Sequence, residues 1–225
     1  MSRVVKIAPS ILSADFASLG AEIDKVSASA DMLHVDVMDG RFVPNITIGP
    51  PVVRCIRQAT RLPLDVHLMI VEPERHVQAF AEAGADVISV HAEATLHLHR
   101  LLEQIRSLGR SPGVAINPAT SVCTIQHALH MVDMVLVMTV NPGFGGQRMI
   151  MEALAKVREL RAIARDRGFA FDIEVDGGIT SDTVAQAAMA GANVLVAGSY
   201  VFGSDDPADA ALGLKREAQK ALEQK

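Results

Sequence analysis

The stretch LHVDVMDG at residues 33–40 is a short run of alternating side chains that ends in a glycine turn. In an extended strand, His34 and Asp36 point to one side, while Val35 and Val37 point to the other. The valines can pack against helices while the polar pair faces an enclosed interior. This pattern is typical of a strand in a closed α/β barrel, where reactive groups lie at the strand ends.

Seven more short runs, mostly of β-branched residues, alternate with longer amphipathic segments along the rest of the sequence. The predicted strands are residues 4–8, 32–37, 64–68, 87–90, 113–116, 134–138, 172–175 and 194–197. The predicted helices are residues 16–29, 50–60, 73–83, 95–108, 122–131, 149–167, 181–190 and 207–223.

Eight strand–helix units of about 28 residues each predict an α/β fold, a (β/α)₈ TIM barrel. No linker-like stretch interrupts the pattern, which predicts a single domain over residues 1–225 with its active site at the C-terminal ends of the strands. An open doubly wound sheet is the alternative, but the glycine fingerprint of that fold is missing after the first predicted strand.

Composition excludes several function classes. Of the 225 residues, 49% are hydrophobic and 4% aromatic, and the net charge of −5 argues against binding to nucleic acid or acidic membranes. No apolar run is long enough to cross a bilayer, and the first residues lack the pattern of a secretory signal, so we expect a cytoplasmic protein. Cys55 and Cys123 are expected to be reduced and buried.

Polar residues recur at three predicted strand ends, in HVDVM at 34–38, DVHLM at 65–69 and IEVD at 173–176. A His-x-Asp pair on a strand is commonly only hydrogen-bonded. However, ionised groups inside a barrel are costly unless they are paired or bind a metal. Two imidazoles and two carboxylates converging from strands 2, 3 and 7 would suit one borderline divalent ion, such as Zn²⁺, Fe²⁺, Mn²⁺ or Co²⁺.

Glycine clusters follow the last three predicted strands, in NPGFGGQ at 141–147, DGGI at 176–179 and AGS at 197–199. Each cluster alone predicts only a turn. Together, on consecutive loops of one barrel face, they indicate a phosphate site built mainly from backbone N–H groups.

Five long motifs carry a resemblance to a known family: APSILSADF at 8–16, HVDVMDG at 34–40, DVHLM at 65–69, VMTVNPGFGGQ at 137–147 and EVDGGI at 174–179. They closely resemble the ribulose-phosphate 3-epimerase family along nearly the whole chain. The resemblance implies a (β/α)₈ barrel with one divalent metal ion that interconverts D-ribulose 5-phosphate and D-xylulose 5-phosphate. It also implies a homo-oligomer that serves the pentose phosphate pathway or carbon fixation.

The resemblance implies roles for individual residues. The implied metal ligands are His34, Asp36, His67 and Asp176, and the implied catalytic acid/base pair is Asp36 and Asp176. The implied substrate contacts are Ser10, His67, Gly143, Phe144, Gly145, Gly146, Asp176, Gly177, Gly178, Gly198 and Ser199. The resemblance further places Met38, Met69 and Met138 near the reacting carbon. Thr139 stands where the family pattern leads us to expect serine.

Three other functions remain open at this point. An epimerase of a ketohexose 6-phosphate, such as allulose 6-phosphate, would use the same acids and metal in a roomier pocket. A related barrel lyase would need a lysine beside the carboxylates near residue 36, where the sequence has none. A non-catalytic sugar-phosphate-binding barrel would need the glycine loops but no pair of acids.

Overall fold

Eight strands form where the sequence predicts them, in a computed structural model that describes residues 4–224. Their bounds are β1 Lys6–Pro9, β2 Leu33–Met38, β3 Leu64–Met69, β4 Val87–His91, β5 Ser111–Ile116, β6 Met134–Met138, β7 Asp172–Asp176 and β8 Val194–Ala197. Neighbouring strands pair in parallel in the order β1-β8-β7-β6-β5-β4-β3-β2, and a bridge between Ser10 and His34 brings β1 beside β2. The predicted TIM barrel is confirmed. The prediction of one domain over residues 1–225 extends to residues 1–3 and 225, which lie outside the described residues, and it stays a prediction.

Helices follow most of the strands. Their bounds are α1 Leu19–Val26, α2 Pro50–Ala59, α3 Val77–Ala83, α4 Leu98–Ser107, α5 Leu154–Arg167, α6 Val184–Ala190, α7 Ser199–Phe202 and α8 Pro207–Glu223. Prolines begin α2 and α8, where a missing backbone N–H costs nothing. Gly84 and Gly168 end α3 and α5 in the left-handed conformation, with φ of 107° and 69°.

The helix predicted at 122–131 is wrong. Among the described residues of this segment, only Val122–Thr124 is helical, as a single 3₁₀ turn, and turns follow it. The β-branched side chains of Val122, Thr124 and Ile125 disfavour a longer helix, and the Ser121 hydroxyl caps the short turn by accepting the Cys123 N–H. The α-helix predicted from residue 149 also begins later, at Leu154, directly after a 3₁₀ turn at Met151–Ala153.

The barrel contains both apolar and polar buried side chains. One small cluster of buried apolar side chains consists of Ala8, Met32, Met134, Val194 and Val196. Strand side chains such as Val35 and Val37 belong instead to the large core shared with the helices. The buried polar residues include His34, Asp65, His67 and Glu174. The predicted two-sided alternation of β2 is therefore observed.

The expectation of buried cysteines is wrong. Cys55 and Cys123 are both free and exposed. On α2 the core-facing positions are Val53 and Ile56, so the intervening Cys55 faces solvent. Among residues 4–224, no helix combines the length and apolar character that a membrane crossing requires.

Candidate active site

The structure brings the four implied metal ligands together at one end of the barrel. His34 and Asp36 lie on β2, and strand pairing places Asp36 directly opposite His67 on β3. Asp176 ends β7, and Ser10 follows β1 in the bridge to His34. Asp36, His67 and Asp176 lie in the C-terminal halves of their strands, where parallel strands of a barrel present reactive groups, and His34 lies two residues before Asp36 on β2.

The four donor atoms converge within 4.8 Å of one another. Asp36 Oδ1 lies 3.2 Å from His34 Nε2 and 3.0 Å from His67 Nδ1. Asp176 Oδ2 lies 4.0 Å from the same two nitrogens. Two imidazoles and two carboxylates therefore surround one small volume.

These residues fit a divalent metal ion. His34 Nδ1 lies 2.6 Å from Asp65 Oδ2, and an ionised carboxylate can only accept a hydrogen bond. The proton of a neutral His34 is thus on Nδ1, and the lone pair of Nε2 faces the oxygens of Asp36 and Asp176. A bare nitrogen beside two carboxylate oxygens is repulsive unless a proton or a metal cation lies between them. Two nitrogens and two oxygens form a donor set that suits Zn²⁺ and similar ions.

The two implied acid/base groups have pKa values displaced in opposite directions. Burial opposes ionisation of Asp36, but the neighbouring His34 and His67 outweigh it and hold the pKa of Asp36 well below its usual range. Burial, together with the negative charge of Asp36, raises the pKa of Asp176 from 3.8 to about 7. One carboxyl group is therefore ionised while the other can hold a proton near neutral pH, which is the pattern of an acid/base pair.

A second buried layer lies beneath the four residues. His34 Nδ1 also lies 3.4 Å from Glu174 Oε1, so Asp65 and Glu174 both approach this nitrogen. Burial and the adjacent charge of Asp65 raise the pKa of Glu174 well above its ordinary value. Burial disfavours the charged form of His34, but Asp36 and Asp65 outweigh it and raise the pKa of His34 well above its usual range. Sequence patterning placed Asp65 and Glu174 on the inner faces of their strands but gave them no partner.

Sequence reasoning missed His91 and Glu93. His91 ends β4 with no exposed surface, and its Nε2 lies 2.9 Å from Nε2 of His67. Its Nδ1 lies 3.3 Å from Oε2 of Glu93. Burial lowers the pKa of His91 to about 4. Burial opposes ionisation of Glu93, but its hydrogen bonds, first that with His91, lower its pKa to about 2.

The missed pair had a signal in the sequence. Because strand 4 is predicted to end at residue 90, His91 falls just outside the predicted strand. The alternation of Ser89 and His91 about Val90 places both on the inner face of β4, and that alternation was the available signal.

A cavity of about 590 Å³ opens above the four residues. Its lining includes Ser10, Asp36 and Asp176, together with Met38, Met69, Met138, Gly143, Phe144, Gly145, Gly146, Gly177, Gly178, Gly198 and Ser199. Ser10 Oγ donates a 2.6 Å hydrogen bond to Asp36 Oδ2. His67, which the resemblance implies as a substrate contact, is fully buried behind Asp36 and does not line this cavity.

The loop after β7 needs its two glycines. Gly177 has φ of +118°, and a Cβ there would lie 2.5 Å from Cγ2 of Val140. Gly178 has φ of +70°, and a Cβ there would collide with the backbone nitrogen of Met149. The hydroxyl of Thr139 donates to the carbonyls of Asp176 and Gly177 at 2.9 and 2.6 Å. Threonine thus anchors the end of β7 through its hydroxyl, a group that serine also has.

Comparison with solved structures supports the fold. A KGPDC from Streptococcus mutans superposes with a TM-score of 0.72, covering 97% of this chain and 99% of that chain at 14% sequence identity. A 3-hexulose-6-phosphate synthase superposes with a TM-score of 0.67 at 20% identity, covering 96% of this chain and 99% of that chain. At these identities, the similarity shows the barrel fold alone.

Comparison with known sequences shows the family. Residues 6–202 match the ribulose-phosphate 3-epimerase family. A ribulose-phosphate 3-epimerase of Bacillus subtilis is 55% identical over 205 residues, which cover 90% of this chain and 94% of that protein. A chloroplastic ribulose-5-phosphate-3-epimerase of Arabidopsis thaliana is 54% identical over 218 residues, covering 96% of this chain and 78% of that protein. The chain therefore belongs to the ribulose-phosphate 3-epimerase family, as its motifs indicated, and it is an enzyme of the epimerase class.

Proposed function

We propose that this enzyme epimerises C3 of D-ribulose 5-phosphate to give D-xylulose 5-phosphate, with Asp36 and Asp176 as the two acid/base groups. Inversion at a carbon beside a carbonyl requires removal of a proton from one face and return of a proton to the other. The observation that carries the proposal is the pair of carboxyl groups of Asp36 and Asp176. Both carboxyl groups line one cavity, and their pKa values are displaced in opposite directions.

The geometry suits two-sided proton transfer. Asp36 on β2 and Asp176 on β7 are separated around the barrel by β8 and β1. A substrate across the barrel mouth can therefore present one face of C3 to each carboxyl group. Asp36, which is ionised, can take the proton from one epimer, and Asp176, when protonated, can give one to the other face. In the reverse direction the two groups exchange roles.

A divalent ion completes the proposed site. His34, Asp36, His67 and Asp176 would hold it, because their four donor atoms already converge. When bound, such an ion supplies electrostatic stabilisation for the negative charge of the ene-diolate that forms after proton removal.

The remaining lining residues would position the substrate and exclude water. Backbone N–H groups of Gly177, Gly178, Gly198 and Ser199 would bind the phosphate, since glycines allow close approach of an anion. Residues 143–146 would cover the sugar from the loop after β6. Met38, Met69 and Met138 line the cavity and would present apolar surface to the reacting carbon.

Isotope exchange tests the proposal directly. The purified enzyme is incubated with ribulose 5-phosphate in D₂O, with and without a chelator. We expect deuterium at C3 of both sugars, loss of exchange on chelation, and recovery when a divalent metal is returned. Absence of deuterium at C3 in active enzyme would contradict the ene-diolate route. Turnover that survives complete metal removal would contradict the metal's role.

The same assay identifies the sugar. Side-by-side turnover with allulose 6-phosphate distinguishes a pentose from a hexose preference, and we expect ribulose 5-phosphate to be favoured. A barrel that only binds sugar phosphates would exchange neither. Cytoplasmic location and homo-oligomeric assembly stay predictions.

A further inference from the structure

The side of His67 that faces away from the four converging donor atoms contacts a second histidine. His67 and His91 approach through their Nε2 atoms at 2.9 Å, and neither ring has exposed surface. Two bare nitrogens, or two protonated ones, would repel at this distance. One proton must therefore lie between the rings, and the ring that carries it determines whether His67 Nδ1, which faces Asp36, is bare or protonated.

Glu93 sets the direction of this contact. Its Oε1 accepts the backbone N–H of Asn117 at 2.8 Å and the hydroxyl of Thr120, which leaves Oε2 turned toward His91 Nδ1 at 3.3 Å. Lys156 on α5 donates to the carbonyls of Asn117 and Thr120 at 2.6 and 3.3 Å and so connects the same loop to α5. The carboxylate is held on both sides and has little freedom to turn.

The proton order follows from Glu93. An ionised carboxylate only accepts, so His91 Nδ1–H donates to it. A neutral imidazole carries one proton, so Nε2 of His91 is bare and accepts from His67 Nε2–H at 2.9 Å. Nδ1 of His67 is then bare, and it lies 3.0 Å from Asp36 Oδ1.

We propose that His91 and Glu93 are positioning residues of the metal site. Through two successive hydrogen bonds they fix the tautomer of His67 that leaves Nδ1 free to bind a divalent ion. This inference rests on the metal site of the proposed function. It gives His67 the kind of support that Asp65 gives His34, but it passes through a second imidazole. Neither His91 nor Glu93 lines the substrate cavity.

Replacement of Glu93 by glutamine should reverse the direction of both hydrogen bonds, that between residue 93 and His91 and that between His91 and His67. The fixed N–H of Asn117 requires an acceptor, so the amide oxygen of the glutamine takes the place of Oε1 and its NH₂ group faces His91. His91 must then accept at Nδ1 and donate from Nε2, which leaves His67 with its proton on Nδ1. A protonated nitrogen cannot bind a metal, so one ligand is lost without any change in the four ligand residues.

The test measures Zn²⁺ affinity and histidine tautomers in the full-length protein. Zn²⁺ is titrated against a competing chelator, and long-range ¹H–¹⁵N spectra identify the protonated nitrogen of each histidine ring. In the wild-type protein we expect protons on His91 Nδ1 and His67 Nε2. In Glu93→Gln we expect the proton of His91 on Nε2 and a Zn²⁺ dissociation constant raised by about 10- to 100-fold.

Glu103→Gln is the matched control. Glu103 also lies beside a histidine, His99, at 3.7 Å, but both side chains are largely exposed. This variant should keep the wild-type Zn²⁺ affinity and tautomers. Loss of charge alone would weaken binding in Glu93→Gln but leave the tautomers unchanged, and that result would overturn the proposal.

Two further outcomes keep this inference separate from the proposed function. If the wild-type protein binds no Zn²⁺, the proposed metal site fails. The wild-type tautomer of His91 still shows whether the hydrogen bonds from Glu93 to His67 have the proposed direction. If Glu93→Gln does not fold, the wild-type spectrum provides the same decision. In either case, a wild-type His91 that carries its proton on Nε2 would overturn the proposed direction of these hydrogen bonds.

Discussion

Replacement of Asp176 by asparagine should stabilise the metal-free protein although it lowers the rate of epimerisation. Folding raises the pKa of Asp176 from 3.8 to about 7, because of burial first and the charge of Asp36 second. The folded protein therefore binds this proton more tightly than the unfolded chain. Between pH 4 and 7 the stability contributed by the proton is lost as the pH rises, and above pH 7 the ionised carboxylate carries the full cost. Asparagine has a similar shape and does not ionise.

The size of the effect follows from the pKa shift. A difference of about 3 units at about 1.4 kcal/mol per unit predicts that Asp176→Asn is more stable than wild type by about 4 kcal/mol at pH 8, and by about 2 kcal/mol at pH 5. In a domain of this size, each kcal/mol moves the midpoint of thermal unfolding by about 2–4 °C. The gain should be reversed when divalent metal is added, since the wild-type carboxylate is then a ligand.

Thermal and urea unfolding at pH 5 and pH 8 in excess chelator measure this difference. Asp205→Asn, at an exposed position, is the control and should change stability little at either pH. An Asp176→Asn protein that is no more stable than wild type at pH 8, or whose advantage is larger at pH 5, would refute the reasoning.

Asp36→Asn and Asp176→Asn should each lower turnover by about 10²- to 10⁴-fold. Each variant should still exchange deuterium into C3 of one epimer without inverting it. Exchange in neither epimer, or in both, would contradict the two-sided mechanism. Gly177→Ala should destabilise the fold by about 1–3 kcal/mol, because its φ is +118° and its Cβ would meet Val140; unfolding midpoints in urea check this, with Gly213→Ala as the control in open space. Light scattering of the purified protein should give a mass that is a multiple of 24.0 kDa, and a monomer would contradict the predicted oligomer.

The barrel and the positions of its four central residues were predictable from sequence because both depend on short-range rules. Side chains alternate along a strand, and parallel strands end on one face, so the strand ends carrying His34, Asp36, His67 and Asp176 were expected to converge. The wrong helix at 122–131 shows the limit of the same rules. An apolar period does not form a helix when β-branched residues and a capping serine favour a single turn.

The partners of the central residues were not predictable, because they depend on distances across the barrel. Asp65 meets His34 through the register of β2 against β3, and Glu174 reaches the same ring only because the sheet closes. Pairing of His91 with His67 required the end of β4 to be placed correctly to within one residue. A one-residue error in the strand end removed His91 from the inner face and with it the connection to Glu93.

The carboxylates that support His34 and His67 are therefore held to different degrees. Glu93 Oε1 is held by the fixed N–H of Asn117, whereas Asp65 Oδ1 accepts no hydrogen bond from any residue of the described chain. In Asp65→Asn the amide can therefore turn so that its oxygen still accepts from His34 Nδ1, and the tautomer of His34 should survive. In Glu93→Gln the amide cannot turn in this way without placing its NH₂ group against the N–H of Asn117.

Zn²⁺ affinity should accordingly fall less in Asp65→Asn than in Glu93→Gln, although Asp65 is closer to the proposed ligands and fully buried. Competition titrations on both variants measure the order, and histidine spectra verify that His34 keeps its proton on Nδ1. If proximity or lost charge governed the effect, Asp65→Asn would be the weaker binder. The reverse order requires that the direction of the hydrogen bonds, rather than the charge behind them, determines whether each imidazole presents a bare nitrogen to the metal.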